Sequence, residues 1–135
     1  MAEPTRIIGD KAQRSAFVPA GGTTIAAKRI VIRSGSGVNQ IAAASTAAQA
    51  YWGITTAALT VTASQAAHGN VQIRDKGIVT SGAAIAIGDR LTSDASGKAI
   101  PAAAGNAFVG IAMTAATGVD LDVEVEIVTG GPEMP

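Results

Sequence analysis

Residues 36–44 read SGVNQIAAA and residues 51–58 read YWGITTAA. The same pattern returns as SGKAIPAAA at residues 96–104 and FVGIAMTAA at residues 108–116. The aligned pairs are Gly37 with Gly97, Ile41 with Ile100 and Gly53 with Gly110. The chain therefore reads as two matched halves, which indicate either an internal duplication or two hairpins that resemble each other. The sequence leaves both explanations open.

The composition favours β-structure. Hydrophobic residues make up 47% of the 135 residues, but much of this is alanine, and the larger apolar side chains are mainly Ile and Val rather than Leu. β-branched side chains are stiff at χ1 and pack well on a pleated sheet. The 16 Gly and five Pro supply the turns between short strands. We predict one all-β domain, a compact β-barrel or β-sandwich-like fold.

The pattern also predicts the organisation of the chain. Residues 1–24 form an extended N-terminal arm, residues 25–130 a β-barrel-like domain, and residues 131–135 a C-terminal tail. The predicted strands cover residues 28–33, 38–41, 51–55, 59–62, 70–74, 77–80, 90–92, 98–100, 107–113 and 119–128. The alanine-rich stretches at 42–50 and 102–107 could each hold a turn of helix.

The arm carries apolar residues that a purely solvated tail would have little use for. We expect five of its side chains to anchor it to a partner surface: Ile7, Ile8, Arg14, Phe17 and Val18. The alternative is a loose terminus, which is common when nothing ties a chain end down.

Residues 119–127 alternate between apolar and acidic side chains, as a half-buried strand does. One face is Val119, Leu121, Val123, Val125 and Ile127. The other carries four carboxylates about 7 Å apart: Asp120, Asp122, Glu124 and Glu126. This acidic face is either a solvated surface that resists edge aggregation or a docking surface for basic groups, such as the arm of a neighbouring copy. Cation binding is the weakest option, because carboxylates in line on a strand lie too far apart for one ion.

Charge is balanced overall but unevenly distributed. The net charge is +4 over residues 1–33, +1 over 34–118 and −5 over 119–135. Such polarity suits head-to-tail or cross-subunit contact. Nucleic-acid binding would need a basic excess and aromatic stacking groups, which are scarce here. We expect no direct nucleic-acid partner.

Catalytic chemistry finds little support in the sequence. The chain has no Cys, and its single histidine, His68, lies in what resembles a hairpin end. Neither a nucleophile elbow nor a phosphate-binding glycine fingerprint occurs. A carrier-domain role for Lys76 on a hairpin is a superficial match. We therefore predict no enzyme activity, no catalytic residue, no cofactor, no metal site and, since no apolar run is long enough, no membrane span.

The second copy carries a family resemblance. It reads IGDRLTSDASGKA at residues 87–99, AAGN at 103–106 and VGIA at 109–112. This order resembles the capsid decoration, or head cement, proteins of tailed bacteriophages, in which a similar series ends in an alternating strand. The likeness spans about residues 25–130.

The resemblance implies a structural virion protein that binds the outer surface of a phage head. Its partners would be the major capsid protein, whose neighbouring subunits it cements, and itself, as a homotrimer or else a dimer. It would be made in the host cytoplasm. The alternative function is a carbohydrate-binding or adhesin-like β module, whose only good stacking candidates are Tyr51 and Trp52.

Overall fold

The computed structural model describes residues 13–35, 37, 39–45 and 51–128. This part of the chain forms ten β-strands and no helix. The strands are β1 (Gln13–Val18), β2 (Ile30–Arg33), β3 (Ile41–Ala43), β4 (Tyr51–Thr55), β5 (Ala67–Gln72), β6 (Asp75–Thr80), β7 (Arg90–Ser93), β8 (Ala99–Pro101), β9 (Gly110–Ala112) and β10 (Asp122–Ile127). The all-β prediction is confirmed.

The strands form two five-stranded antiparallel sheets with the same internal order. The first sheet runs β1-β5-β4-β2-β3 and the second β6-β10-β9-β7-β8. Each strand of the second sheet therefore occupies the same position as the strand numbered five lower in the first sheet, so that β6 corresponds to β1 and β10 to β5. We call residues 13–72 the first half and residues 75–127 the second half. The doubled sequence pattern is therefore a structural repeat in a compact, sandwich-like fold.

Connections outside the strands repeat as well. Ile25 and Leu59 form an antiparallel bridge, with N–H to carbonyl distances of 3.0 and 2.7 Å. Ile85 and Ala116 form the matching bridge, at 2.8 and 2.9 Å. Both halves therefore fix the same loops by the same backbone hydrogen bonds.

Each sheet also curls so that its two outer strands meet. A parallel bridge joins Phe17 to Gln40 in the first half, and Ser81 to Ala99 in the second. The edge strands thus reach each other across the seam, as in a small barrel.

The repeat corrects part of the sequence alignment. Arg33 pairs with Ile41, and the equivalent Ser93 pairs with Ala99. Ile41 therefore corresponds to Ala99, not to Ile100, and Gly97 corresponds to Asn39, not to Gly37. The reason is the hairpin turn: Asn39 and Gly97 both have positive φ, 58° and 79°, while the first loop is two residues longer.

The alignment of Gly53 with Gly110 is confirmed. Val31 pairs with Gly53, and the equivalent Leu91 pairs with Gly110. A Cβ at Gly53 would collide with the Gln72 carbonyl oxygen, and one at Gly110 would collide with that of Glu126. Glycine is needed in both halves for the same close approach of a neighbouring strand.

The buried side chains form two clusters, of which one spans both halves. The first half has its own core, which includes Val18, Val31 and Val71. The larger cluster joins Ile30 and Ile54 of the first half to the apolar interior of the second. The two halves therefore share buried surface and form one unit.

Several strands differ from the sequence prediction. Residues 13–18 of the predicted arm form β1, which pairs along its whole length with β5. Residues 59–62 are not a strand, because only Leu59 makes a bridge there. Residues 102–107 form a turn rather than helix, and residues 46–50 lie outside the described part. The boundaries of arm, domain and tail stay a prediction.

The alternating run is shorter than its pattern suggests. β10 begins only at Asp122, because Asp120 adopts a left-handed backbone conformation with φ of 62°. Val119 and Leu121 consequently leave the apolar face and are 58% and 42% exposed, whereas Val123 and Val125 are fully buried.

Candidate interaction surface

The carboxylates of β10 lie on the outer surface of the second sheet. β10 is flanked by β6 on one side and β9 on the other. Glu124 is opposite Ile78 of β6, and Glu126 lies between Lys76 of β6 and Ile111 of β9. Paired residues of neighbouring strands point to the same face. The acidic side chains therefore share this face with apolar ones.

Two apolar side chains beside Glu124 are unusually accessible. Ile78 is 44% exposed, and Met113, whose N–H donates to the Glu124 carbonyl at 2.7 Å, is 39% exposed. We call Ile78, Ile111, Met113, Glu124 and Glu126 the outer face. The sequence did not reveal Ile78 and Met113, because only strand pairing places them beside Glu124. Docking of a partner on this face stays a prediction, as does the alternative of a solvated surface.

The four predicted carboxylates have two kinds of environment. Asp122 accepts from Lys28 Nζ at 2.9 Å, and Asp120 accepts from Lys98 Nζ at 2.6 Å. Asp120 and Asp122 therefore make contacts within the chain. Glu124 and Glu126 lie on the outer face, and the basic Lys76 lies opposite Glu126 on the same side of the sheet.

The Lys98 ammonium, which hydrogen-bonds to Asp120 and attracts its charge, lowers the pKa of that carboxyl below its usual value. Arg29 of the first half acts in the same direction more weakly, and desolvation opposes both. The Asp120 side chain thus stays charged, and paired, into mildly acidic conditions.

A rigid loop lies at one end of β10. The buried Ser81 side chain donates to the Gly118 carbonyl at 2.6 Å and accepts from Leu121 N–H at 3.1 Å. The Ser81 backbone bonds to Asp120 and Leu121, each at 2.8 Å. Together with the Lys98 ion pair, these bonds hold residues 118–121, here called the apolar loop, with Val119 and Leu121 facing solvent. Its shape is set before any partner arrives.

Three of the five predicted arm residues belong to the described part of the chain, and all three lie on β1 of the first half. Val18 is 3% exposed and belongs to the first-half core, and Phe17 is half-buried and stacks on His68 with ring centroids 5.8 Å apart. Arg14 is exposed on β1. Ile7 and Ile8 lie outside the described residues. Contact of these five side chains with a partner stays a prediction.

Tyr51 and Trp52, the candidates for sugar stacking, both make contacts within the fold. Tyr51 is 8% exposed, and its hydroxyl lies 2.6 Å from Thr92 Oγ1 and accepts from Ser93 N–H at 3.1 Å. The Arg33 guanidinium lies over the Trp52 ring at 4.6 Å. Neither ring offers an open stacking platform.

The described residues form a cleft between the halves but no metal-binding cluster. No group of three or more His, Asp or Glu side chains there could hold a metal ion. No helix in this part of the chain could span a membrane. A cleft of about 250 Å³ lies between the halves, lined by residues such as Lys28, Thr55 and Lys76.

Comparison with known proteins agrees with this architecture. The sequence model of a family described as phage cement protein matches residues 11–127. The structure of the head fiber gp8.5 N base of bacteriophage phi29 is similar in fold, with a TM-score of 0.68 and 20% identity over 90% of this chain and 98% of that chain. A search of the curated proteins finds no match.

Proposed function

The chain belongs to the phage cement protein family, and we propose that it binds the outer surface of a phage head and cements neighbouring major capsid subunits without catalysis. The family match over residues 11–127 is the observation that carries this proposal. In this role the protein is made in the host cytoplasm, becomes part of the virion and self-associates as a homotrimer.

The physical basis of cementing is preferential binding. A protein that binds the assembled shell, but not its separated subunits, stabilises the shell by mass action. Such a protein needs a stiff body and an exposed contact surface, and no reactive group. A shared core between two repeated halves supplies the stiffness.

The apolar loop is our candidate for contact with the shell. Val119 and Leu121 are large apolar side chains exposed on a loop that Ser81 holds in place. Pre-ordering a contact loop reduces the entropy lost on binding. The corresponding positions in the first half, Gln65 and Ala67, carry no large apolar side chain. The loop would therefore give the protein one shell-facing side.

Head binding can be measured by sedimenting purified, expanded heads that lack the protein with each variant and quantifying bound chains. We expect the double substitution V119S/L121S to lower occupancy at least tenfold, because it removes exposed apolar contacts and leaves the core intact. Thr117→Ala, on the same exposed segment, is the matched control and should bind normally. Unchanged occupancy of the double variant would rule out the loop as the contact.

The arm is tested in the same assay. Deleting residues 1–12 leaves β1 in place, whereas deleting residues 1–18 also removes the strand that pairs with β5. We expect the shorter deletion to weaken head binding with the circular dichroism spectrum unchanged. Full occupancy after that deletion would contradict a role for Ile7 and Ile8. Failure of wild-type protein to bind heads at all would refute the cementing function itself.

A further inference from the structure

β6 is the edge strand of the second sheet and pairs with β10 on one side only. An edge strand presents backbone N–H and carbonyl groups that another chain can pair with. The seam covers one end of this edge, where Ser81 forms its parallel bridge with Ala99. Residues 76–78, called the open edge below, lie outside the seam and line the cleft between the halves. This short stretch is therefore the part of β6 that a partner strand can reach.

The pairing of β6 with β10 shows which backbone groups point outward at the open edge. Met113 N–H donates to the Glu124 carbonyl at 2.7 Å, and Glu124 N–H donates to Thr114 Oγ1 at 2.9 Å. Both backbone groups of Glu124 are thus used on the β9 side of the strand. Glu124 is paired with Ile78, and a pair of this kind exchanges no hydrogen bond in an antiparallel ladder. The N–H and carbonyl of Ile78 therefore point away from β10.

Thr80 shows the same orientation directly, because its N–H donates to the Lys28 carbonyl of the first half at 3.0 Å. Alternate residues of a ladder direct their backbone groups the same way, so Lys76 and Ile78 point theirs out beside Thr80. Among the described residues, no backbone group of the first half bonds to the N–H of Lys76 or Ile78. The Lys28 carbonyl thus does for Thr80 what the carbonyl of a partner strand can do for Ile78.

The cleft beside the open edge suits an extended chain better than a small molecule. Its volume of about 250 Å³ lies below the roughly 300–1,000 Å³ of small-molecule sites. Ile54 and Ile78 line the cleft, and Ile78 is 44% exposed. Lys28 is already in an ion pair, and Lys76 lies opposite Glu126 of β10. Main-chain and apolar contacts, rather than charge, therefore define what the cleft accepts.

We propose that an extended segment of the shell protein docks on the open edge as an extra strand, with an apolar side chain in the cleft. This contact rests on the cementing function proposed above and names the part of the shell that is recognised. Lys28, which lines the cleft, pairs with Asp122, the neighbour of Leu121 in the apolar loop. The cleft and the apolar loop therefore adjoin, so one partner can contact both.

This mode of docking sets the chemistry of the partner segment. Main-chain hydrogen bonds provide affinity for an extended chain, and the side chain that enters the cleft provides specificity. A charged group beside Ile54 and Ile78 would lose its hydration without gaining a partner. We therefore expect an uncharged, apolar residue at that position of the shell segment, and a contact that depends only weakly on salt.

Hydrogen exchange of the free protein, followed by NMR, tests whether the edge is open. The amides of Lys76 and Ile78 should exchange fast, whereas those of Gly77 and Val79, which point towards β10, should exchange slowly. Protection of the Ile78 amide in dilute protein would mean that the edge is already covered, and would overturn the proposal. Protection that appears only at high protein concentration would assign the edge to a second copy, and would overturn it as well.

Proline substitution tests the edge on purified, expanded heads that lack the protein. I78P removes an outward-pointing N–H, a change that an edge strand tolerates. S15P is the matched control on β1: Ser15 precedes Phe17, whose N–H donates to the Asn39 carbonyl, by two residues, as Ile78 precedes Thr80. I78P should raise the dissociation constant for heads about tenfold, and S15P should leave it unchanged. Equal effects of the two variants, or none for I78P, would overturn the proposal.

Two measurements guard against a proline that disturbs the fold. I78T keeps the N–H but removes apolar contact, so it should weaken head binding less than I78P with an unchanged circular dichroism spectrum. In the wild-type protein, exchange mass spectrometry should show peptides that cover residues 76–80 gaining protection on heads. Head binding without that protection would overturn the docking site and leave the cementing function intact. A wild-type protein that binds no heads would refute both.

Discussion

At the scale of single residues, the repeat reuses glycine where two strands approach most closely. Gly53 and Gly110 occupy equivalent positions, and in each case a Cβ would meet the backbone of the next strand and a valine methyl, Val71 Cγ1 at 2.6 Å or Val125 Cγ1 at 2.7 Å. Backbone cannot move aside as the end of a flexible side chain can. The same steric limit thus acts twice in one chain.

We therefore expect G53A and G110A each to lower the free energy of unfolding by about 1–3 kcal/mol, through overpacking of the sheet. Gly118→Ala is the control, since a Cβ there would meet nothing within 4 Å. Urea denaturation followed by circular dichroism measures all three. A tolerated alanine at both tight positions would show that the strands can separate at little cost.

At the scale of elements, β10 shows where pattern and structure diverge. Alternation predicts five inward-facing apolar residues over 119–127, but the strand keeps only Val123, Val125 and Ile127 inside. A left-handed Asp120, held by its hydrogen bonds and its ion pair with Lys98, ends the alternation. Periodicity does not carry the information that a distant lysine and a buried Ser81 will capture this segment.

Because the alternation ends at Asp120, Leu121 and Val123 should contribute very differently to the free energy of unfolding. Val123→Ala should lower the free energy of unfolding by about 2 kcal/mol, because it removes buried methyl groups and leaves a cavity. Leu121→Ala removes more atoms, yet should cost well under 1 kcal/mol, since Leu121 is 42% exposed. Chemical denaturation of both variants checks the order, and a larger loss for L121A would contradict it.

β1 is the second element whose structure differs from the sequence prediction, because residues 13–18 of the predicted arm form a strand. Its charged surroundings and its position near the terminus suggested an arm. Predicting the strand requires its partner β5, whose paired residues lie 49 to 59 positions further along the chain. By contrast, the glycine-punctuated strands β4, β7 and β8 lie close to where the sequence places them. Local signals locate turns and strands, but the pairing of distant strands determines which residues share a surface, including Ile78 and Met113 beside Glu124.

At the scale of the whole molecule, the shared core predicts cooperative unfolding. Ile30, Tyr51 and Ile54 of the first half pack in one cluster with the interior of the second half. If either half unfolded alone, the other would expose this apolar surface to water. The folded chain should therefore behave as a single two-state unit.

The only tryptophan, Trp52, provides the measurement, because it reports on the first half. Its fluorescence and the circular dichroism of the whole chain should change at the same urea concentration. V123A, a change in the second half, should shift both transitions equally. If V123A left the urea midpoint of the Trp52 fluorescence transition unchanged, the halves would unfold independently.

The seams between Phe17 and Gln40 and between Ser81 and Ala99 have a consequence for behaviour at high concentration. Amyloid-like stacking usually starts at an edge strand with unpaired N–H and carbonyl groups. A sheet whose outer strands meet offers few such groups to another chain. Concentrated solutions of the folded protein should therefore resist fibril formation. Assemblies that form would be held by surface side chains, and dilution or salt should reverse them.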